Sequence, residues 1–114
     1  MKTQRILTTL LIVMLPIALF AHAPKKVNLS YNNEAGILSA SILHPVKNVE
    51  DHFIVRMIVT VNDKEVETLE YTVQSSLESH EVEINLPGLK SGDVVSVKAT
   101  CNKVGSKTRK LEIK

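Results

Sequence analysis

The residues of this sequence that could do chemistry together are its histidines and its one cysteine: His22, His44, His52, His80 and Cys101. Neutral imidazole nitrogen and thiolate sulfur are ligands with which proteins bind iron, copper or zinc. His44 ends one predicted strand, His52 opens the next, and Cys101 ends a later one. Because the ends of neighbouring strands meet at one edge of a sandwich, we expect these three residues and His22 to form a metal site.

Each of these residues could also have an ordinary structural role. A single histidine at a strand end is usually a polar surface residue, and the proline after His44 favours extended backbone at a turn. A lone cysteine is often a small buried apolar side chain. His80 lies in an acidic, polar stretch that is predicted to connect two strands, so we leave it outside the site.

The elements that must position this site are short strands. Seven segments alternate apolar and polar side chains or are rich in β-branched residues, and turn residues separate them. No stretch has a convincing helical pattern, so we predict an all-β fold, an immunoglobulin-like β-sandwich of about seven strands. The sequence has no tryptophan and no cysteine pair, which excludes a true antibody domain. The predicted strands are Val27–Tyr31, Ile37–Leu43, Phe53–Val61, Val66–Val73, Val82–Leu86, Val94–Cys101 and Thr108–Ile113.

The first residues have the order of a secretory signal peptide: a basic start, an uncharged apolar run over 6–20, and small residues at Ala21 and Ala23. The run is about 15 residues long, whereas a membrane-spanning helix needs about 20. We therefore predict a signal peptide over 1–21, a domain over 22–114, and a periplasmic or secreted protein. A cut after Ala23 and an uncleaved anchor are the alternatives, and the first would place Pro24 directly after the cut.

Charge excludes several classes of partner. The signal peptide carries two of the 14 basic residues, which leaves 12 Lys and Arg against 12 Asp and Glu in 22–114. We therefore expect neither nucleic acid nor, after signal cleavage, a membrane as a partner. A lone cysteine cannot form an internal disulfide. The sequence also lacks a Ser-His-Asp arrangement, a convincing carboxylate pair and a glycine-rich phosphate loop, which disfavours hydrolases and nucleotide binding.

The motifs around these residues resemble those of the iron domain of desulfoferrodoxin and superoxide reductase. That family has an immunoglobulin-like β domain that binds ferrous iron through four histidines and an axial cysteine thiolate. Its histidine motifs are matched by His-Ala-Pro at 22–24, His-Pro at 44–45 and His-Phe-Ile at 52–54. Its Cys-Asn-x-His-Gly motif is matched at 101–105, except that Val104 replaces the histidine. The resemblance implies a mononuclear iron site formed by His22, His44, His52 and Cys101, with Cys101 as the axial ligand.

The sequence departs from that family at two places. Val104 cannot bind a metal, so one equatorial ligand is missing, and His80 lies in the wrong strand connection to replace it. The family's catalytic lysine and glutamate precede the first histidine, where this chain has Ala21 and Phe20 inside the predicted signal peptide. The resemblance thus implies a superoxide reductase-like oxidoreductase if the metal site is functional, but without the family's lysine.

A second resemblance is to the thiosulfate-oxidation protein Sox Z, a partner-binding sandwich without a metal. Its His-Pro motif, its His-[Tyr/Phe]-Ile strand start and its Gly-Asp motif are matched at 44–45, 52–54 and 92–93. This resemblance gives His44 and His52 a role in the fold rather than in metal binding, but it explains neither His22 nor Cys101.

Three functions therefore stay open. The first is an exported iron protein that meets an electron donor. Copper becomes an alternative if His22 is the mature N-terminus, because its amine could then bind metal as well. The second is a non-catalytic module that docks another exported protein through a sheet face or edge. The third is a plain structural β domain.

Overall fold

The computed structural model describes residues 22–114, so the predicted signal peptide over 1–21 lies outside the described residues. Seven strands form two antiparallel sheets. They are β1 (Lys26–Asn32), β2 (Ile37–Leu43), β3 (Ile54–Val61), β4 (Lys64–Glu70), β5 (Ser79–Asn85), β6 (Val94–Cys101) and β7 (Ser106–Glu112). Residues 22–114 contain no helix, and therefore none that is long and apolar enough to cross a membrane.

One sheet has the strand order β1-β2-β5, and the other has β4-β3-β6-β7. The second and fifth strands thus share one sheet while the third, sixth and seventh share the other, which is the division found in immunoglobulin domains. The fourth strand pairs with the third rather than with the fifth. The all-β, immunoglobulin-like sandwich predicted from the sequence is confirmed.

The core lies between the two sheets because alternate side chains of each strand point inward. From β2 the inward residues are Leu38, Ala40 and Ile42, and all three are buried. The facing strands β3 and β6 bury an equivalent set, which consists of Ile54, Met57, Val59, Val95, Val97 and Ala99. This alternation is present in the sequence, which is why β2 and β6 have the predicted bounds.

Five predicted strands differ from the structure in their bounds, and the start is shifted by two or three residues in β4, β5 and β7. A two-residue turn with positive φ at Asn62 (50°) and Asp63 (69°) joins β3 to β4, so β4 begins at Lys64 rather than at Val66. The φ values and the loop length are those of the tight hairpin turns that match strand twist. β5 begins at Ser79 rather than at Val82 because its pairing with β2 continues as far as Leu43. β7 begins at Ser106 rather than at Thr108 because its pairing with β6 continues as far as Thr100.

Candidate metal centre

Cys101 and His52 are brought together by the pairing of β3 with β6. Cys101 is the last residue of β6 and pairs with Ile54, the first residue of β3. The N–H of Asn102 donates to the carbonyl of Phe53 at 3.0 Å, and the N–H of Phe53 donates to the side-chain oxygen of Asn102 at 2.9 Å. His52 directly precedes Phe53, so these bonds fix it at the same end of the central strands β3 and β6 as Cys101.

A tight turn before β3 orients His52. The carbonyl of Asn48 accepts the N–H of Asp51 at 3.2 Å and that of His52 at 3.0 Å. The side-chain oxygen of Asn48 accepts the N–H of Glu50 at 2.9 Å, which is the bond that makes asparagine frequent in turns. The ammonium of Lys103 lies 3.1 Å from the carboxylate of Asp51 and links this turn to the loop after β6. Exposed ion pairs of this kind add little stability, so the turn depends mainly on its backbone bonds.

His44 comes from the other sheet, directly after β2. Its backbone N–H donates to the carbonyl of Glu78 at 3.0 Å, which continues the pairing of β2 with the chain before β5. A ring nitrogen of His44, a ring nitrogen of His52 and the sulfur of Cys101 all lie within 4.8 Å of one another. All three side chains are buried, and His44 is fully shielded from solvent. The two imidazole rings meet edge-on with their centroids 4.6 Å apart.

The sulfur of Cys101 has two close neighbours. Nε2 of His52 lies 3.1 Å from it, and the backbone N–H of Lys103 donates to it at 3.3 Å. The thiolate is the form of cysteine that binds metals. Imidazole nitrogen and thiolate sulfur in one buried group could therefore bind a metal ion.

An unpaired nitrogen of His44 is consistent with a cluster that could bind a metal ion. Nδ1 of His44 lies 2.7 Å from the side-chain oxygen of Gln74. Nε2 is buried and has no hydrogen-bond partner among residues 22–114. A buried polar atom without a partner costs about 1–3 kcal/mol, and coordination of an ion is one way in which proteins satisfy such an atom.

The protonation of His52 also suits metal binding. The pKa of His52 is lowered by burial first, then by repulsion from His44, His22 and Lys103, while a hydrogen bond with the backbone of His22 opposes the shift. A lowered pKa keeps the imidazole neutral at neutral pH. Neutral imidazole is the form that coordinates metals, because the lone pair is then free.

His22 lies beside the cluster, but both of its ring nitrogens are near backbone oxygens. Its ring centroid is 5.2 Å from that of His44 and 5.3 Å from that of His52. Nε2 lies 2.8 Å from the carbonyl oxygen of Pro45, and Nδ1 lies 3.0 Å from that of Ala23. Neither nitrogen belongs to the group of ligand atoms within 4.8 Å. The structure thus brings together three of the four predicted ligands, and the role of His22 stays a prediction.

His80 lies within β5, so the expectation that it occupies a connection between strands is wrong. Its side chain is buried, its Nδ1 accepts the N–H of Ser75 at 3.2 Å, and its ring meets that of Tyr71 with centroids 4.3 Å apart. It is not part of the His44, His52 and Cys101 group. The pKa of His80 is lowered by burial, against the attraction of Glu81.

The loop after β6 rests on the segment that carries His22. Gly105 has φ +74°, and a Cβ built on it would lie 2.6 Å from the Cβ of Ala23. Glycine is required there by both the left-handed backbone and the close approach. Val104 is 43% exposed.

Sequence reasoning missed Gln74, which is 2% exposed and bonds to His44. It lies in a polar stretch with no strand periodicity, and no pattern in that stretch distinguishes a buried amide from an exposed one. Only the excess of polar residues between two strands marks the stretch as a connection.

Comparisons of this chain with protein-family models, with curated proteins and with solved structures found no match.

Proposed function

We propose that this chain is an exported iron-binding protein with a mononuclear His/Cys site and a redox role, as its resemblance to the superoxide reductase domain implies. The observation that carries the proposal is the fully buried Nε2 of His44, which has no partner in residues 22–114 and belongs to a residue grouped with His52 and Cys101. His44, His52 and Cys101 would hold the metal, and His22 is the predicted fourth ligand. Bound iron would supply one-electron chemistry at this end of the sandwich.

The protein's own groups support that role in three ways. The Lys103 N–H donates to the sulfur of Cys101, a hydrogen bond of the kind that surrounds metal ligands. Burial lowers the pKa of His52 and so favours its neutral form. The cluster is buried, and the His22 ring lies beside it. A low-dielectric, hydrogen-bonded surrounding of this kind is what tunes the potential of a metal.

Copper is a second candidate metal, and one observation favours it. Both nitrogens of His22 lie near backbone carbonyls, which leaves His44, His52 and Cys101 as the ligand group. Two histidines and one cysteine are the set found in copper electron-transfer sites. The identity of the metal is therefore decided by the loading experiment that follows.

The test is metal analysis of the mature protein with its N-terminal residue determined on the same sample. We expect the exported chain to begin at His22 and to hold about one metal ion per chain after anaerobic loading with ferrous iron or copper. The ion should be lost in Cys101→Ser and in His52→Ala. His80→Ala is the matched control, since it removes a buried histidine outside the cluster and should leave the metal in place. A lower metal affinity in His22→Ala would support His22 as the fourth ligand.

A wild-type protein that stays metal-free after anaerobic loading with iron and with copper would refute the proposal. The alternative would then be a partner-binding sandwich like the Sox Z subunit. It is supported by the exposed apolar side chains of Val73 and Leu77 on the connection between β4 and β5. An N-terminal residue within the first 21 positions would overturn the predicted cleavage and leave the metal result standing.

A further inference from the structure

Gln74 is the buried residue that bonds to the cluster without being one of its ligands. It is 2% exposed and makes four hydrogen bonds. Its backbone N–H donates to the carbonyl of Val49 at 3.1 Å. Its side-chain Nε2 donates to the carbonyl of His44 at 2.8 Å and to that of Ser76 at 2.9 Å. Its Oε1 lies 2.7 Å from Nδ1 of His44.

These partners fix which way the amide faces. The carbonyl oxygens of His44 and Ser76 can only accept, so the group that faces both must be the amide NH2 with its two donors. The amide oxygen then necessarily faces Nδ1 of His44. The reversed amide would place an oxygen against two carbonyl oxygens and lose both bonds, and burial would make that loss costly.

The amide in turn fixes the proton on His44. An amide oxygen can only accept, so Nδ1 must carry the hydrogen in order to bond at 2.7 Å. A neutral imidazole has one N–H, so Nε2 keeps its lone pair. That nitrogen is buried without a hydrogen-bond partner among residues 22–114, as is Nε2 of His80 outside the cluster. The backbone carbonyls of His44 and Ser76 thus orient the Gln74 amide. The amide oxygen in turn leaves Nε2 of His44 as the nitrogen that can bind a metal ion.

We infer that Gln74 is a positioning residue for the metal centre. It holds His44 in the tautomer with hydrogen on Nδ1, so that Nε2 is preset as a metal ligand. The part of this inference that makes His44 a metal ligand rests on the proposed function. The tautomer is a property of the metal-free protein and can be tested without a metal. Outer partners of metal-bound histidines commonly act in this way, and their loss lowers metal affinity by about 10–100-fold.

Two variants separate this role from a merely structural one. Gln74→Met and Gln74→Glu are close to glutamine in size, and both remove the two bonds that Nε2 donates to His44 and Ser76. Only glutamate keeps an oxygen that can accept from Nδ1 of His44. We therefore expect both variants to lose stability in chemical denaturation. The metal dissociation constant should rise by about 10–100-fold in Gln74→Met and by much less in Gln74→Glu.

A second measurement needs no variant and no metal. Long-range proton–nitrogen NMR of the metal-free wild type reports the tautomer of each histidine directly. We expect hydrogen on Nδ1 of His44. Hydrogen on Nε2 would overturn the inference, as would equal metal affinities in Gln74→Met and Gln74→Glu. A wild-type protein that binds no metal overturns the proposed function and the ligand part of this inference, and the NMR result tells that failure apart from a wrong tautomer.

Discussion

Replacing Gly105 with alanine is expected to destabilise this domain by about 2–5 kcal/mol, in two separable parts. Gly105 has φ +74°, and the left-handed region costs a residue with a Cβ about 1–2 kcal/mol. The added methyl would lie 2.6 Å from the Cβ of Ala23, well inside the roughly 3.5–4.0 Å at which carbon atoms attract. Overpacking of this kind costs about 1–3 kcal/mol.

Gly88 provides the matched control. It has φ +85°, and a Cβ built on it meets no atom of the described chain within 4 Å. Gly88→Ala should therefore carry the backbone cost alone, about 1–2 kcal/mol. The difference between the two variants isolates the contact with Ala23. In a domain of this size each 1 kcal/mol corresponds to about 4–8 °C in Tm, so the difference is measurable by thermal unfolding as well as in urea.

The assay is urea unfolding of the metal-free protein followed by circular dichroism, on the wild type, Gly105→Ala, Gly88→Ala, and the first change combined with Ala23→Gly. Removing the Cβ of residue 23 should lower the cost of Gly105→Ala to that of Gly88→Ala. Equal costs for the two glycine variants in the wild-type background, or no recovery with Ala23→Gly, would refute the rigid contact between the loop and the His22 segment.

Two further predictions concern other parts of the fold. Burial lowers the pKa of His80 in the folded protein below its ordinary value of 6.5. At a pH just below 6.5 the unfolded chain therefore binds more protons than the folded chain. The free energy of unfolding should therefore fall as the pH drops through 6.5, and the His80→Asn variant should lose part of this pH dependence. Urea unfolding between about pH 7 and pH 5, the range in which histidine titrates, measures both effects. Asp63 has φ 69° in the turn between β3 and β4, so Asp63→Gly should stabilise the protein by about 0.5–1 kcal/mol in thermal unfolding. Asp63→Ala should destabilise it, and gains from both changes would contradict the turn assignment.

The fold could be predicted from the sequence wherever strands bury one face. In β2 and β6 the apolar side chains alternate and turns bound them on both sides, so their ends were predicted correctly. In β4 nearly every side chain is exposed, and the strand ends where its backbone pairing with β3 ends. Side-chain alternation cannot reveal that point. The same reason accounts for the early start of β5 at Ser79, where pairing with Leu43 continues.

The candidate site was predictable to the extent that it depends on strand ends. His44, His52 and Cys101 lie where β2 ends, where β3 begins and where β6 ends, so topology alone brings them together. The hydrogen bonds of His22 to backbone carbonyls depend on how its segment folds back over the domain, which no local pattern encodes. The role of Gln74 depends on contacts between two loops, which no local pattern encodes either.

The three grouped side chains belong to different sheets: His44 follows the middle strand of the three-stranded sheet, whereas His52 and Cys101 lie at one end of the two central strands of the four-stranded sheet. Immunoglobulin domains commonly join their two sheets by a disulfide between the second and sixth strands. This chain has one cysteine on its sixth strand and a histidine just after its second. A metal held there would take the place of that covalent cross-link. The cross-link would be removable: its contribution to stability would rise with the logarithm of the free metal concentration and vanish with a chelator. The same ion would then serve both as redox centre and as the connection between the layers.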